Sequence, residues 1–144
     1  MSANTDVVVP LGTTFRGAMD IMKEALPKKE KQSILALSIL IRVEKNPGIS
    51  QGELGRILRR DPMTMSQAVR ALQSSNLIMS QPDASDRRVK RLTVTRKGKS
   101  MGESLMASEH KLMNQLAREW GKSKVNTLKS LVNEFDVFLK DLRN

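Results

Sequence analysis

The sequence predicts a mainly α-helical chain with one small two-stranded β-wing. Three observations carry this. Apolar residues recur three and four apart along most of the chain, which is the period of a helix face. Two helix-start signals, at Ser50 and Asp61, stand close together with no strand pattern between them. After them comes a short stretch that alternates every second residue, Arg88 to Thr95, preceded by the turn formers Pro82, Asp83, Ser85 and Asp86.

In chain order, residues 1–10 are expected to form a loose arm. A first helix follows from Leu11 to Leu26, with Phe15, Met19, Met22 and Leu26 on one stripe. Pro27 closes it, because a residue before proline is pushed out of helical geometry. Lys28 to Asn46 reads as a second helix. Its Ile34, Leu35, Leu37, Ile39, Leu40, Ile41 and Val43 leave almost no polar face, so it is expected at the centre of the core. Pro47-Gly48 stops it.

Ser50 and Glu53 fit a capping box, in which each side chain satisfies the other's orphaned backbone N–H. Ile49 and Leu54 stand where a hydrophobic staple stands. This third helix buries Leu54, Ile57 and Leu58 and ends near Arg59 and Arg60. The fourth is opened by Asp61 as N-cap, with Pro62 at the first helical position. Met65, Val69 and Leu72 form its inward stripe, and Asn76 is suited to a left-handed stop. Strands at Leu77–Ser80 and Arg88–Thr95 flank the hairpin tip.

Thr95 caps a fifth helix that runs to about Trp120, with Gly98 and Gly102 weakening its first turns. Gly121 ends it. Ser123 is expected to cap a last helix carrying Val125, Leu128, Val132, Phe135, Leu139 and Leu142.

Charge narrows the partner. Lys and Arg number 25 against 15 Asp and Glu, a net +10 over 144 residues. That excess points to a polyanion, nucleic acid first. Aromatics make up 3% with no tyrosine, which argues against stacking on single strands. Cysteine is absent, so disulfides, thiolate metal sites and thiol switches are excluded. No apolar run reaches the roughly 20 residues needed to span a bilayer. No secretory leader pattern opens the chain, and a cytoplasmic protein without membrane contact is expected. His110 is the one histidine and reads as a surface residue. Met19, Met22, Met101, Met106 and Met113 read as core at helical spacing. No nucleophile–base pair, phosphate-cradling loop or cofactor motif is present, so no enzyme is expected.

The polar face of the fourth helix holds Met63, Thr64, Ser66, Gln67 and Arg70. Gln67 can take adenine bidentately and Arg70 guanine or a phosphate, while Met63 can meet a thymine methyl. Arg59 and Arg60 end the helix before it. Arg87, Arg88, Lys90 and Arg91 lie on the hairpin, where an arginine can enter a narrow minor groove. Asp86 is expected to hold a neighbouring arginine in a fixed pose. The apolar stripes near the two ends, Phe15, Met19 and Met22 and then Val125, Leu128, Val132, Phe135, Leu139 and Leu142, are expected to pair two copies of the chain.

These residues resemble the MarR family of bacterial transcription regulators, and most closely its SlyA-like branch. The resemblance rests on the runs Ser50–Gly55, Asp61–Leu72, Asn76–Ile78 and Ala84–Gly98. In the last, Asp-Arg-Arg leads into a basic strand and a Thr-x-Lys-Gly. It implies a single winged helix-turn-helix domain over residues 1–144. The DNA-binding region would span 30–98, with dimerisation helices at 11–27 and 121–144. It further implies a homodimeric repressor on palindromic double-stranded DNA, relieved by a small phenolic or lipophilic effector. Cysteine-based sensing is closed to this chain. Asn76 departs from the family's usual glycine, and the region of the expected cavity is poor in aromatics. Two other classes fit the residues: an architectural or plasmid-maintenance DNA binder without effector, and a winged-helix protein-interaction module.

Overall fold

The computed structural model describes residues 6–30 and 32–143. Among the described residues six helices and one hairpin follow in order: α1 (Val8–Lys23), α2 (Ile34–Lys45), α3 (Gln51–Leu58), α4 (Pro62–Ser74), β1 (Ile78–Pro82), β2 (Lys90–Val94), α5 (Arg96–Trp120) and α6 (Lys122–Asp141). The chain divides after Ala107 into two compact units, the first holding everything from α1 through the early turns of α5. No described helix is long and apolar enough to cross a membrane.

Helix α2 is the centre of the first unit. Its Ala36, Leu37, Ile39, Leu40 and Val43 are all buried, as its all-round apolar sequence demands. It starts later than its apolar pattern suggests. Ser33 caps it by accepting the N–H of Ala36 at 3.0 Å, so the charged residues before it stay in a loop. The core around α2 is completed by Met19 and Met22 of α1, Leu54, Met65, Val69, Leu72, Leu77, Ile78 and Leu92, and by Met101 and Leu105 of α5.

Helix α1 runs earlier than its stripe predicts. It begins at Val8 and ends at Lys23, so Val8, Val9 and Pro10 belong to the helix rather than to an arm; residues 1–5 of that expected arm lie outside the described residues. Pro10 falls in the first turn, where its missing N–H leaves no intrahelical bond unmade.

The capping box at Ser50 forms as expected. Ser50 Oγ accepts the Glu53 N–H at 3.1 Å, and Glu53 Oε2 accepts the Ser50 N–H at 2.9 Å. Arg59 closes α3 in left-handed geometry at φ 53°, and Asp61 opens α4 by accepting the Thr64 N–H at 2.9 Å. Asn76 adopts φ 56°, the left-handed stop its type favours.

The wing is an antiparallel pair in which Ile78 faces Val94 and Pro82 faces Lys90. Both strands start and stop later or shorter than the alternation suggests, leaving 83–89 as the tip. A third partner was not legible locally. The segment after α2 lies along β2, with Gly48 N–H donating to Leu92 O at 2.8 Å and Leu92 N–H to Ile49 O at 3.0 Å. Those two bonds fasten the wing to the start of α3.

Two glycines expected to weaken α5 have a packing role instead. A Cβ on Gly98 would stand 1.9 Å from the carbonyl oxygen of Leu77, and one on Gly102 would stand 1.9 Å from Glu44 Oε2. The missing side chains let α5 close on the end of α4 and on α2. Thr95 caps α5 as expected, accepting the Gly98 N–H at 2.9 Å. At the other end of the chain, Gly121 at φ 85° precedes α6 and no side chain caps that helix, so Ser123 lies inside it rather than before it.

Glu44 of α2 is half-buried beside Gly102, at the edge of the core. Its Oε2 is buried without a hydrogen-bond partner, and burial first, then the nearby Glu103, pushes its carboxyl above the usual range. A raised acid pKa means that the folded state holds the proton more tightly. Its penalty is greatest near neutrality and fades as the pH falls into the carboxylate range.

Three outcomes follow for stability. Gly98→Ala should destabilise the fold by about 3 kcal/mol or more and lower the melting temperature accordingly, because a backbone carbonyl cannot step aside. Gly52→Ala, with nothing within 4 Å of its added Cβ, should be neutral or mildly stabilising in the same thermal melts. Glu44→Gln should melt higher than the parent at pH 7, and the difference should shrink in melts taken at successively lower pH.

Candidate nucleic-acid interface

The turn between α3 and α4 is short because both of its ends are fixed locally. Arg59 bends left-handed, Arg60 N–H returns to Gly55 O at 2.9 Å, and Asp61 then caps α4. The Asp61 carboxyl is held below its ordinary range, first by the Thr64 hydroxyl at 2.6 Å and then by the Thr64 N–H. Thr64, expected to face a ligand, therefore spends its proton on the cap.

The inward stripe of α4 is buried as expected at Met65, Val69 and Leu72. Its outward residues separate into two groups. Met63 is 73% exposed, and Gln67 and Arg70 are exposed beside it. Ser66 is half-buried and accepts a hydrogen bond from Gln51 Nε2 at 3.1 Å, which ties α4 to the first turn of α3. Arg59 and Arg60 are exposed just before α4.

The far end of α4 is gripped from three sides. Gln32 Nε2 donates to Ser75 Oγ at 2.9 Å, Lys97 Nζ donates to Ser75 O at 3.1 Å, and the Thr95 hydroxyl donates to Asn76 O at 2.7 Å. Lys97 is itself paired with Glu30 at 2.9 Å. The helix is thus fixed in pitch at both ends while its polar face stays open.

On the wing, Asp86 does hold an arginine. Its carboxylate takes Arg88 Nε at 3.1 Å and a terminal Arg88 nitrogen at 3.2 Å, a two-pronged pair on a side chain that is 91% exposed. The Arg88 pair lies at the tip beside exposed Arg87, and Lys90 is exposed on β2. Arg91 turns the other way. Its Nε meets Asp83 Oδ1 at 2.8 Å, and a terminal nitrogen meets Gly48 O at 3.3 Å and Glu53 Oε2 at 3.6 Å.

The sequence marks Asp83 only as a turn former, and its position shows more. One carboxylate oxygen accepts the Ser85 N–H at 3.0 Å, the Ser85 hydroxyl at 2.6 Å and the Asp86 N–H at 3.1 Å, while the other takes Arg91. The Ser85 hydroxyl and then Arg91 hold its carboxyl far below the usual range. A depressed acid pKa contributes above the unfolded value, so Asp83's contribution to wing order is complete at neutral pH and lost only in strong acid. The Asp83-x-Ser85 spacing is the signal that could have found it, since Asp bonding N–H groups two and three residues on is an Asx turn.

The arrangement can do one kind of chemistry. It presents a helix face with an amide, a thioether and a guanidinium, flanked by arginines at a preceding turn and a hairpin tip. Among the described residues no cluster of three potential metal ligands is present. The family model "MarR family" matches residues 33–90. Over 62 residues the chain is 34% identical to an uncharacterized HTH-type transcriptional regulator, YybA, of Bacillus subtilis (strain 168), a match spanning 43% of this chain and 41% of that protein. The fold is similar to the crystal structure of MarR, with a TM-score of 0.83 at 21% identity, covering 99% of this chain and 97% of that one. It is also similar to a MarR family regulator from Listeria monocytogenes solved with a 26mer DNA, at TM-score 0.82 and 21% identity, covering 95% and 91% of the two chains. Residues 33–90, the stretch that this family model matches, hold α2, α3, α4 and the wing tip.

Proposed function

We propose that the protein is a homodimeric transcriptional regulator that binds a palindromic duplex operator and represses by occluding a promoter. The observation that carries this is the open row Met63, Gln67 and Arg70 on a helix clamped at both ends, beside a wing tip bearing Arg87 and the Asp86-held Arg88. A recognition helix meets base edges through its N-terminal half, where Met63 and Gln67 lie, with Arg70 just past the midpoint. The net +10 charge supplies the sequence-independent part of the binding. The DNA-bound Listeria relative supports the same use of the fold, and a cytoplasmic location accords with that role.

Pairing of two copies is supported by apolar side chains left in the open. Leu11, Phe15 and Ile21 of α1 are exposed, as are Leu128, Leu131, Val132, Val137, Phe138 and Leu142 of α6, while Val125, Phe135 and Leu139 are half-buried. Met19 and Met22 are taken up by the chain's own core, so the α1 contribution to a dimer rests on Phe15 and its exposed neighbours. Burying such faces is worth about 25 cal/mol per Å², enough to drive association. Two recognition helices would then meet successive major grooves about 34–36 Å apart.

Relief by a small effector is supported by an open cleft of about 580 Å³ lined by Leu26, Pro27, Glu30, Asn76, Lys97 and Met101, among others. It borders the residues that grip the end of α4, so an occupant there could disturb the reading helix. An effector panel that shifts neither the melting temperature nor operator affinity would remove this part of the proposal.

Selection from random duplexes should return a two-fold symmetric site, with affinity falling steeply as salt rises. On that site Gln67→Ala should cost about 1–3 kcal/mol and relax preference at one base pair, whereas Arg60→Ala should weaken all sequences alike. Sedimentation should give twice the chain mass, and Phe138→Glu should halve it. Many dispersed sites without symmetry would favour an architectural binder, and no affinity for any duplex at low salt would overturn the reading.

A further inference from the structure

The wing is not simply a flexible basic hairpin. Four bonds converge on the Asp83 carboxylate, from the Ser85 N–H and hydroxyl, the Asp86 N–H and Arg91 Nε. They fold the tip and fix the segment from which Arg87 and Arg88 project. Arg91 carries the connection onward, to Gly48 O and to Glu53, the capping residue of α3. From that same first turn of α3, Gln51 reaches Ser66 on α4. Side-chain links therefore run from the wing tip to the reading helix through the start of α3, alongside the backbone bonds of Gly48 and Ile49 to Leu92.

We infer that Asp83 and Arg91 are positioning residues that set the angle between the arginine-bearing wing tip and α4, so that minor-groove and major-groove contacts are made as one unit. The inference rests on the DNA-binding reading proposed above. Arg91 on this account touches no DNA, although it sits among basic residues that do. Geometry favours this over a passive surface pair. An Arg–carboxylate contact between mobile side chains contributes little, but here one partner is pinned by three further donors and the other spans two elements. Arg88 differs in kind. Its partner Asp86 is two residues away on the same tip, so that pair orients one side chain and links nothing else.

The experiment has two arms. In free protein, amide exchange by NMR should show Ser85 and Asp86 exchanging at least tenfold faster in Asp83→Ala, with α2 and α4 core amides unchanged. Arg91→Gln should loosen the same tip. In the DNA arm, hydroxyl-radical footprints of Asp83→Ala on the selected operator should lose protection at the minor-groove flanks and keep it at the centre. Arg87→Ala should then cost roughly tenfold in affinity in the parent and less than twofold in the Asp83→Ala background. Equal fold losses of Arg87→Ala in both backgrounds, or tip amides that exchange no faster in either variant, would overturn the inference. A general loss of core protection in Asp83→Ala passes the judgement to Arg91→Gln, which leaves the Ser85 and Asp86 bonds to Asp83 in place. A parent protein that binds no duplex sinks the functional reading, and the exchange arm still decides whether the tip is held as described.

Discussion

Three elements meet at the carbonyl of Leu77. It accepts the Thr95 N–H at 3.0 Å and the Thr95 hydroxyl at 3.2 Å, and it occupies the space that a side chain at position 98 would need. Leu77 itself follows the left-handed Asn76 and is fully buried. The end of α4, the base of the wing and the start of α5 are thereby joined at one peptide group. Backbone-to-backbone approach of this kind is rigid, because no rotamer change can relieve it. Everything the interface requires of α4, a fixed pitch with an open polar face, begins from that junction and the grip of Gln32, Thr95 and Lys97 around it.

Electrostatics then divides the basic residues by task. A count of cations treats Arg87, Arg88, Lys90 and Arg91 alike. The fold does not. Arg91 is consumed inside the chain, Arg88 is steered by Asp86, and Arg87 and Lys90 stay exposed. Lys97 follows the same logic, since it serves Glu30 and Ser75. Net charge describes the pull toward a polyanion, and side-chain pairing decides which cations are left to make contact.

The parts of the fold that were legible in the sequence are those set within a few residues. Ser50 with Glu53, Asp61 with Pro62, and Asn76 act through their own neighbours, and the structure keeps all of them. The burial of α2 was legible because its apolar residues leave no face for water. What escaped is long-range. The Ser33 cap was hidden by helix formers before it. Gly98 and Gly102 looked like weak helix residues because propensity is local and close approach is not. The pairing of Gly48 and Ile49 with Leu92 and the inward turn of Arg91 depend on segments about 40 residues apart. For the candidate interface, residue type placed Met63, Gln67, Arg70 and the wing tip correctly on open surface. It could not show that Ser66 and Thr64 already had partners.

The left-handed residues Arg59 and Asn76 bracket α4, and neither bend can be moved without rebuilding a turn. They make the helix a ruler of set length. Its 13 residues measure about 20 Å at 1.5 Å each. Laid along duplex rising about 3.4 Å per pair, that span reaches across roughly six base pairs. The open row from Met63 to Arg70 covers about 10 Å of that length, so only about three of those pairs fall within reach of its side chains. On the DNA-binding reading proposed above, whatever else a target contains falls to the wing, to a second copy or to the duplex's shape.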